Sequence, residues 1–312
     1  MKKSTFFKMS VFSVLAVAFA FYLVYYSNAL ANGNNDNCVS YDNFFNFSEW
    51  SGKSSQDSLI KTFDVNAKGS LFVDVPGADI SIDVWDRNQV KVVVIQKGSE
   101  DQIKNYKISF NASADKVEII AKTSKNFWNW SNMHTRFKIL VPKQFYPDIN
   151  TSGGDVTINN IFSDSKIGTS GGDIRISGCT GIVFAETSGG DITVKDNNGD
   201  VKLETSGGDI DLFNVRGKVS AETSGGDISL RLLGENKGIY LITSGGDIKI
   251  KIPKDLKADL DCETSGGDVS MNGPSYFQGK MKDHSIKGSI NGGGSQVKAE
   301  TSGGDIVISL EN

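Results

Sequence analysis

Val201-Lys202-Leu203-Glu204-Thr205-Ser206-Gly207-Gly208-Asp209-Ile210-Asp211-Leu212 decides the fold, because the pentapeptide at its centre, Thr-Ser-Gly-Gly-Asp, occurs eight times in the chain. Its threonines are Thr151, Thr169, Thr187, Thr205, Thr223, Thr243, Thr264 and Thr301, spaced by 18, 18, 18, 18, 20, 21 and 37 residues. A near-constant period of that size marks a stacked repeat architecture. The residue after each aspartate is Val156, Ile174, Ile192, Ile210, Ile228, Ile248, Val269 or Ile306. Two residues further on stand Ile158, Ile176, Val194, Leu212, Leu230, Ile250, Met271 and Ile308. Alternation with period two, rich in β-branched residues, predicts a strand with one buried face. A second strand precedes the threonine, as in Val183-Phe184-Ala185, Val219-Ser220-Ala221, Ile239-Tyr240-Leu241 and Val297-Lys298-Ala299.

The inward parity changes between the two strands, so the chain bends there, and Gly181, Gly199 and Gly217 recur at that bend. Glycine tolerates the positive φ of a tight corner. Ser-Gly-Gly makes the other corner, where the aspartate is placed to accept turn amides. Each threonine shares parity with the buried positions before it, which points its hydroxyl into the corner and along the stack. The predicted fold class is all-β: a parallel β-solenoid, assigned as right-handed, of about nine turns over residues 151–312. The gap of 37 residues then counts as two turns, with Gly288-Ser289-Ile290 as a decayed copy.

Upstream, residues 59–150 carry strand patterns without the repeat (Leu71/Val73/Val75, Ile80/Ile82/Val84, Val90/Val92/Val94, Phe137/Ile139/Val141) and no amphipathic helix. They are expected to form an N-terminal β cap region, which an open solenoid end requires. Residues 32–58 read as a polar linker with an aromatic cluster at Phe44, Phe45, Phe47 and Trp50. Lys2, Lys3 and Lys8, an apolar run from Val11 to Tyr26 and the small-residue site Ala29-Leu30-Ala31 make residues 1–31 a signal peptide, with an uncleaved N-terminal anchor as the alternative. Either way the chain is expected to be exported to the periplasm, cell envelope or extracellular space.

Removing those three lysines from the 33 basic residues leaves 30 against 37 acidic ones. A nucleic-acid partner is disfavoured on that balance. The membrane enters only through the N-terminal segment if it stays uncleaved. Cys38, Cys179 and Cys262 are an odd set for an exported chain. The register places Cys262 in the core column of Ala185, Leu203 and Ala299, and Cys179 in that of Ile161, Val215 and Leu233, so both are expected as small buried hydrophobes.

Gly77-Ala78-Asp79-Ile80-Ser81-Ile82-Asp83-Val84-Trp85-Asp86, Phe137-Lys138-Ile139-Leu140-Val141-Pro142 and the Ser-Gly-Gly-Asp-Ile series together resemble a bacterial family of β-strand-repeat proteins described as adhesin candidates and otherwise as a domain of unknown function. The likeness spans residues 60 to 312 and implies export, a solenoid and an adhesin-like role.

Candidate chemistry is thin. Gly168-Thr169-Ser170-Gly171-Gly172 matches a hydrolase nucleophile elbow, with His134 and His284 as the available histidines. That motif needs a following helix, and Ser170 is one of eight equivalent serines. The column Asp155, Asp173, Asp191, Asp209, Asp227, Asp247, Asp268 and Asp305 has the ligand type for calcium. Calcium-binding nonapeptide solenoids, however, have half this period and a third glycine. No catalytic residue, cofactor or metal site is assigned. Trp128 and Trp130, beside Asn129, are the candidate ligand surface, with capping of the solenoid end as the alternative use. The expected function is a non-enzymatic scaffold or interaction protein whose outward face, including Glu186, Glu204, Glu222, Glu263 and Glu300, meets a protein or glycan of the envelope or a host surface. The alternative is a polysaccharide-binding or polysaccharide-cleaving β-helix.

Overall fold

A computed structural model of the chain describes residues 55–123, 133–273 and 276–311. The expected signal peptide, Cys38, the aromatic cluster at 44–50 and Trp128 and Trp130 lie outside the described residues. Ser51–Asn312 forms one compact unit.

The upstream strands are β1 (Ser55–Asp64), β2 (Lys68–Val75), β3 (Ala78–Trp85) and β4 (Gln89–Gly98), then helix α1 (Glu100–Asn105), β5 (Tyr106–Ala112), β6 (Lys116–Thr123), β7 (His134–Pro142) and β8 (Gln144–Thr151). Short alternating strands follow: β9 (Val156–Asn159), β10 (Ser165–Gly168), β11 (Ile174–Ser177), β12 (Val183–Glu186), β13 (Ile192–Lys195) and β14 (Val201–Glu204). Two long bent strands, β15 (Ile210–Glu222) and β16 (Ile228–Ile242), lead to β17 (Ile248–Pro253), β18 (Ala258–Thr264) and β19 (Val269–Asn272). The chain ends with β20 (Phe277–Lys282), β21 (Ser285–Ile290), β22 (Gln296–Thr301) and β23 (Ile306–Glu311). The fold is therefore all-β with mostly parallel strands in a solenoid-like sheet, apart from α1. That helix is too short for a periodic signal, but Ser99 and Gln102 close a capping box at its start.

The strands stack in two columns. The column that contains the strands before the repeat threonines pairs in parallel as β6, β2, β8, β10, β12, β14, the second half of β15, the second half of β16, β22 and β18. The column that contains the strands after the repeat aspartates pairs in parallel as β7, β3, β9, β11, β13, β15, β16, β17, β23 and β19. Ile192, Ile210 and Ile228 lie in register, as do Val194, Leu212 and Leu230, and all are buried. At roughly 1.5–3 kcal/mol for each buried aliphatic side chain, one rung cannot offset the ordering of some eighteen residues, but a stack can.

The order of rungs departs from chain order at both ends. The β22/β23 rung sits between β16/β17 and β18/β19, although β18 and β19 come earlier in the chain. Likewise β2/β3 sits between β6/β7 and β8/β9. The 37-residue gap accordingly holds no decayed turn. Gly288, Ser289 and Ile290 belong to β21, which runs antiparallel to β18 and forms a hairpin with β20. Residues 59–150 are also more than a cap: they supply rungs of the stack together with antiparallel β5, β4 and β1 at its edge. The expected linker ends inside β1.

Each corner explains its motif. Thr205 Oγ1 donates to Gly190 O at 3.0 Å and accepts from Gly208 N at 3.4 Å, and the same pair of bonds recurs from Thr169 to Thr301. All eight threonines are buried. The second glycine is required by space rather than by φ: a Cβ on Gly208 would fall on the carbonyl of Gly190, and each equivalent glycine meets the rung below in the same way. At the opposite corner Asn160, Gly178, Asp196 and Asn214 take positive φ of 52–65°, a conformation that glycine, asparagine and aspartate adopt most readily.

One of the buried polar side chains occupies an otherwise apolar corner column. Asn197 stands in the corner column of Ile161, Cys179, Val215 and Leu232 and is 1% exposed. Leu232, not the expected Leu233, faces inward, because β15 and β16 shift register after Phe213. Asn197 Nδ2 bonds Gly199 O at 3.0 Å, while its Oδ1 is buried without a partner. An orphaned buried oxygen outweighs one neutral hydrogen bond, so Asn197→Val should raise stability by about 1 kcal/mol in urea melts. A loss of stability would show that the polar contact matters more than the orphan.

Candidate binding surface

The aspartate column is committed to the backbone. The Oδ1 of each accepts from the amide of the aspartate in the next rung: Asp173 N to Asp155, Asp191 N to Asp173, Asp209 N to Asp191, Asp227 N to Asp209 and Asp247 N to Asp227, all at 2.8–2.9 Å. The series continues through Asp305 to Asp268, in stack order. Arg175 contacts Asp173 at 2.7 Å and Asp155 at 3.6 Å, and Lys249 lies within 3.9 Å of Asp227 and Asp247. Amide donors and surface cations thus offset the like charges along the column. Among the described residues no cluster of metal-ligating side chains is present.

At the far end the turn between β20 and β21 imitates a missing rung. Thr264 N donates to His284 O and Val269 N to Asp283 O, as the same amides in inner rungs donate to the next strand. The His284 ring contacts Gly267 O at 2.6 Å through Nδ1, so the histidine is engaged structurally. His134 opens β7, three rungs away from Ser170, and the structure brings neither histidine to that serine. Ser170 lines an open depression of about 430 Å³ with Asp74, Lys122, Thr123, Asn150 and Ser152. Cys179 and Cys262 are free and buried, and burial pushes the Cys262 thiol up to about 12, which makes it unreactive.

What remains for a partner is outward. On the first column Glu186, Glu204, Glu222, Glu300 and Glu263 point away from the core. Lys202 binds Glu204 at 2.7 Å, Lys298 binds Glu300 at 2.9 Å, and Lys287 binds Glu263 at 3.0 Å. The hydrogen bond to Glu204 raises the Lys202 ammonium above its ordinary range. Lys202 also lies over Phe184 and Lys218 over Tyr240, at 5.2 and 5.4 Å from the ring centres. Ile182 (54% exposed), two residues before Phe184, and Phe162 (50%) are further exposed apolar side chains. Sequence reasoning passed over these residues, although Ile182 and Phe184 are apolar at outward parity, a signal open to inspection.

Asp83, on the outward face of β3, accepts from Val84 N at 2.8 Å. Burial nevertheless pushes its carboxyl above the usual range, against the opposing hydrogen bonds from Val84 and Asn160. A folded pKa above the unfolded one means that protonation favours the fold; this contribution is present at low pH and is lost as pH rises through the folded pKa. Asp83→Asn should therefore raise the melting temperature near neutral pH, with the difference closing below about pH 4. A difference independent of pH in thermal melts would contradict this.

A family model described as Toastrack DUF4097 matches residues 69–309, from β2 to β23. The chain belongs to the Toastrack family. The matched Toastrack residues include the upstream rungs as well as the repeat, in agreement with the stack, and leave β1 outside. Among solved structures, an adhesin candidate from Bacteroides fragilis superposes with a TM-score of 0.51 at 15% identity, covering 82% of this chain and 98% of that one. A candidate cell adhesion protein from Clostridium sporogenes gives a TM-score of 0.30 at 13% identity over 82% and 100% of the two chains. A candidate lipid binding protein from Parabacteroides distasonis gives 0.37 at 12% identity over 81% and 96%. No curated protein matches this Toastrack chain. The Bacteroides likeness supports a shared solenoid-like fold.

Proposed function

We propose that this chain is an exported, non-enzymatic scaffold of the cell envelope, a right-handed coil that holds a macromolecular partner on its outward strand faces. One observation carries the reading: the threonine hydroxyls, aspartate carboxylates and close-packed glycines of the repeat are spent on joining rung to rung. The regular array of outward glutamates, lysines and isolated aromatic rings is then the surface available for recognition. Stacked repeats in general use such extended faces for binding. The adhesin-like name of the Bacteroides fragilis neighbour agrees with this use. Among the described residues no helix is long and apolar enough to cross a membrane.

The test is a capture experiment with the chain from residue 32 onward, immobilised and exposed to solubilised envelope, alongside a panel of envelope and host glycans. Retention of a defined envelope component, weakened by Phe184→Ala with Ile182→Ser, supports the scaffold. New reducing ends released from a glycan would replace it with a polysaccharide-cleaving β-helix.

A further inference from the structure

Four strands end the two columns, and β1 differs from the other three. Among the described residues it pairs only with β4, in register over all ten residues, from Ser55 opposite Gly98 to Asp64 opposite Gln89. It is ten residues long and contains no proline or bulge, two of the devices that blunt an exposed edge, and its charges are of both signs. Both of its faces carry exposed apolar side chains, Leu59 at 37% and Ile60 at 50%. At the other end of the same column β19 has four residues, and its Val269 amide is already bonded to Asp283 O. β20 holds Gly279, Lys280 and Lys282 without an acid, and β5 holds Lys107 alone, so neither strand is complementary to itself.

We propose that β1 pairs antiparallel with β1 of a second copy of this chain, about a two-fold axis at Leu59. In that register Asp57 faces Lys61 of the partner subunit, and symmetry makes this ion pair twice. Leu59 meets Leu59 of the partner subunit between the two pairs, and Ser58 meets Ile60 of the partner subunit on the other face. Directly opposed charges of opposite sign stabilise an antiparallel pair, and like charges there destabilise it. The same patch on both copies forms a closed isologous contact, so pairing stops at two chains. The result is one sheet running β7, β4, β1 and then the same strands of the second copy in reverse, with the two stacks directed apart. β1 lies upstream of the family-matched residues 69–309. The contact does not depend on what the outward faces bind.

The experiment uses the chain from residue 32 onward, which lacks the apolar leader, in gel filtration with light scattering and in dilution series, with melting curves to establish folding. The native chain should be a dimer. Lys61→Asp sets acid against acid at both pairs and should weaken dimerisation about 30-fold. Asp57→Lys combined with Lys61→Asp should restore it. A monomeric native chain overturns the proposal, as does a folded Lys61→Asp protein that dimerises as tightly as the native one. A folded double variant that stays monomeric overturns the register.

Discussion

Gly208→Ala should unfold the middle of the stack, while Gly207→Ala, one residue away, should be nearly silent. A Cβ on Gly208 would overlap the carbonyl of Gly190 and lie 2.8 Å from Asp191 N, and all of these are backbone atoms. They cannot turn aside as a side chain would. Separating the rungs to make room would stretch the bonds from Thr205 Oγ1 to Gly190 O and from Asp209 N to Asp191 Oδ1. Overpacking and lost corner bonds together should cost about 4 kcal/mol, at the exceptional end for a single methyl group. A Cβ on Gly207, by contrast, would meet nothing closer than 3.8 Å, and that residue does not need positive φ, so its substitution should stay within about 0.5 kcal/mol. Urea denaturation of the two variants decides the matter, and equal effects would mean that corner spacing is not what the motif encodes.

Ile210→Ala should cost about 3–4 kcal/mol. The side chain is fully buried between Ile192 and Ile228 in the middle of the stack, and neighbours held by parallel pairing on both sides cannot collapse into the space. Val269→Ala, in the outermost rung, should cost about 1–2 kcal/mol, because the site is smaller, 8% exposed and paired on its outer side only by a hairpin turn. Denaturant midpoints measure both. A larger loss at Val269 would show that stability resides at the capped end.

The repeat made the fold legible because each buried column is written eight times: the inward isoleucines, the inward threonines and the corner glycines all read directly from Thr205 to Leu212. The edges were not legible, for a physical reason. Asp305 and Asp268 are both preceded by Glu-Thr-Ser-Gly-Gly and followed by a β-branched aliphatic residue, so nothing local tells which of them bonds Asp247, and stack order is a matter of long-range pairing. The β2/β3 rung was hidden because Val75 stands where the threonine would be. Its hydroxyl is supplied by Thr151, which bonds both N and O of Ala78. The step from Leu233 to Leu232 escapes a sequence register because the 20-residue spacing is taken up at one corner rather than spread along the rung. Of the candidate surface, the glutamate column was legible from parity. The edge strand β1 was not, since its residues sat in and beside a segment whose composition read as linker.

The intercalated β22/β23 rung has a consequence for synthesis. Residues 258–272 leave the ribosome before residues 296–311, yet the later segment separates them from β16 and β17. A nascent chain therefore cannot add its final rungs in the order they are translated. It must hold β18 and β19 apart, or release them from a provisional seat, until the last strands arrive to be threaded into place.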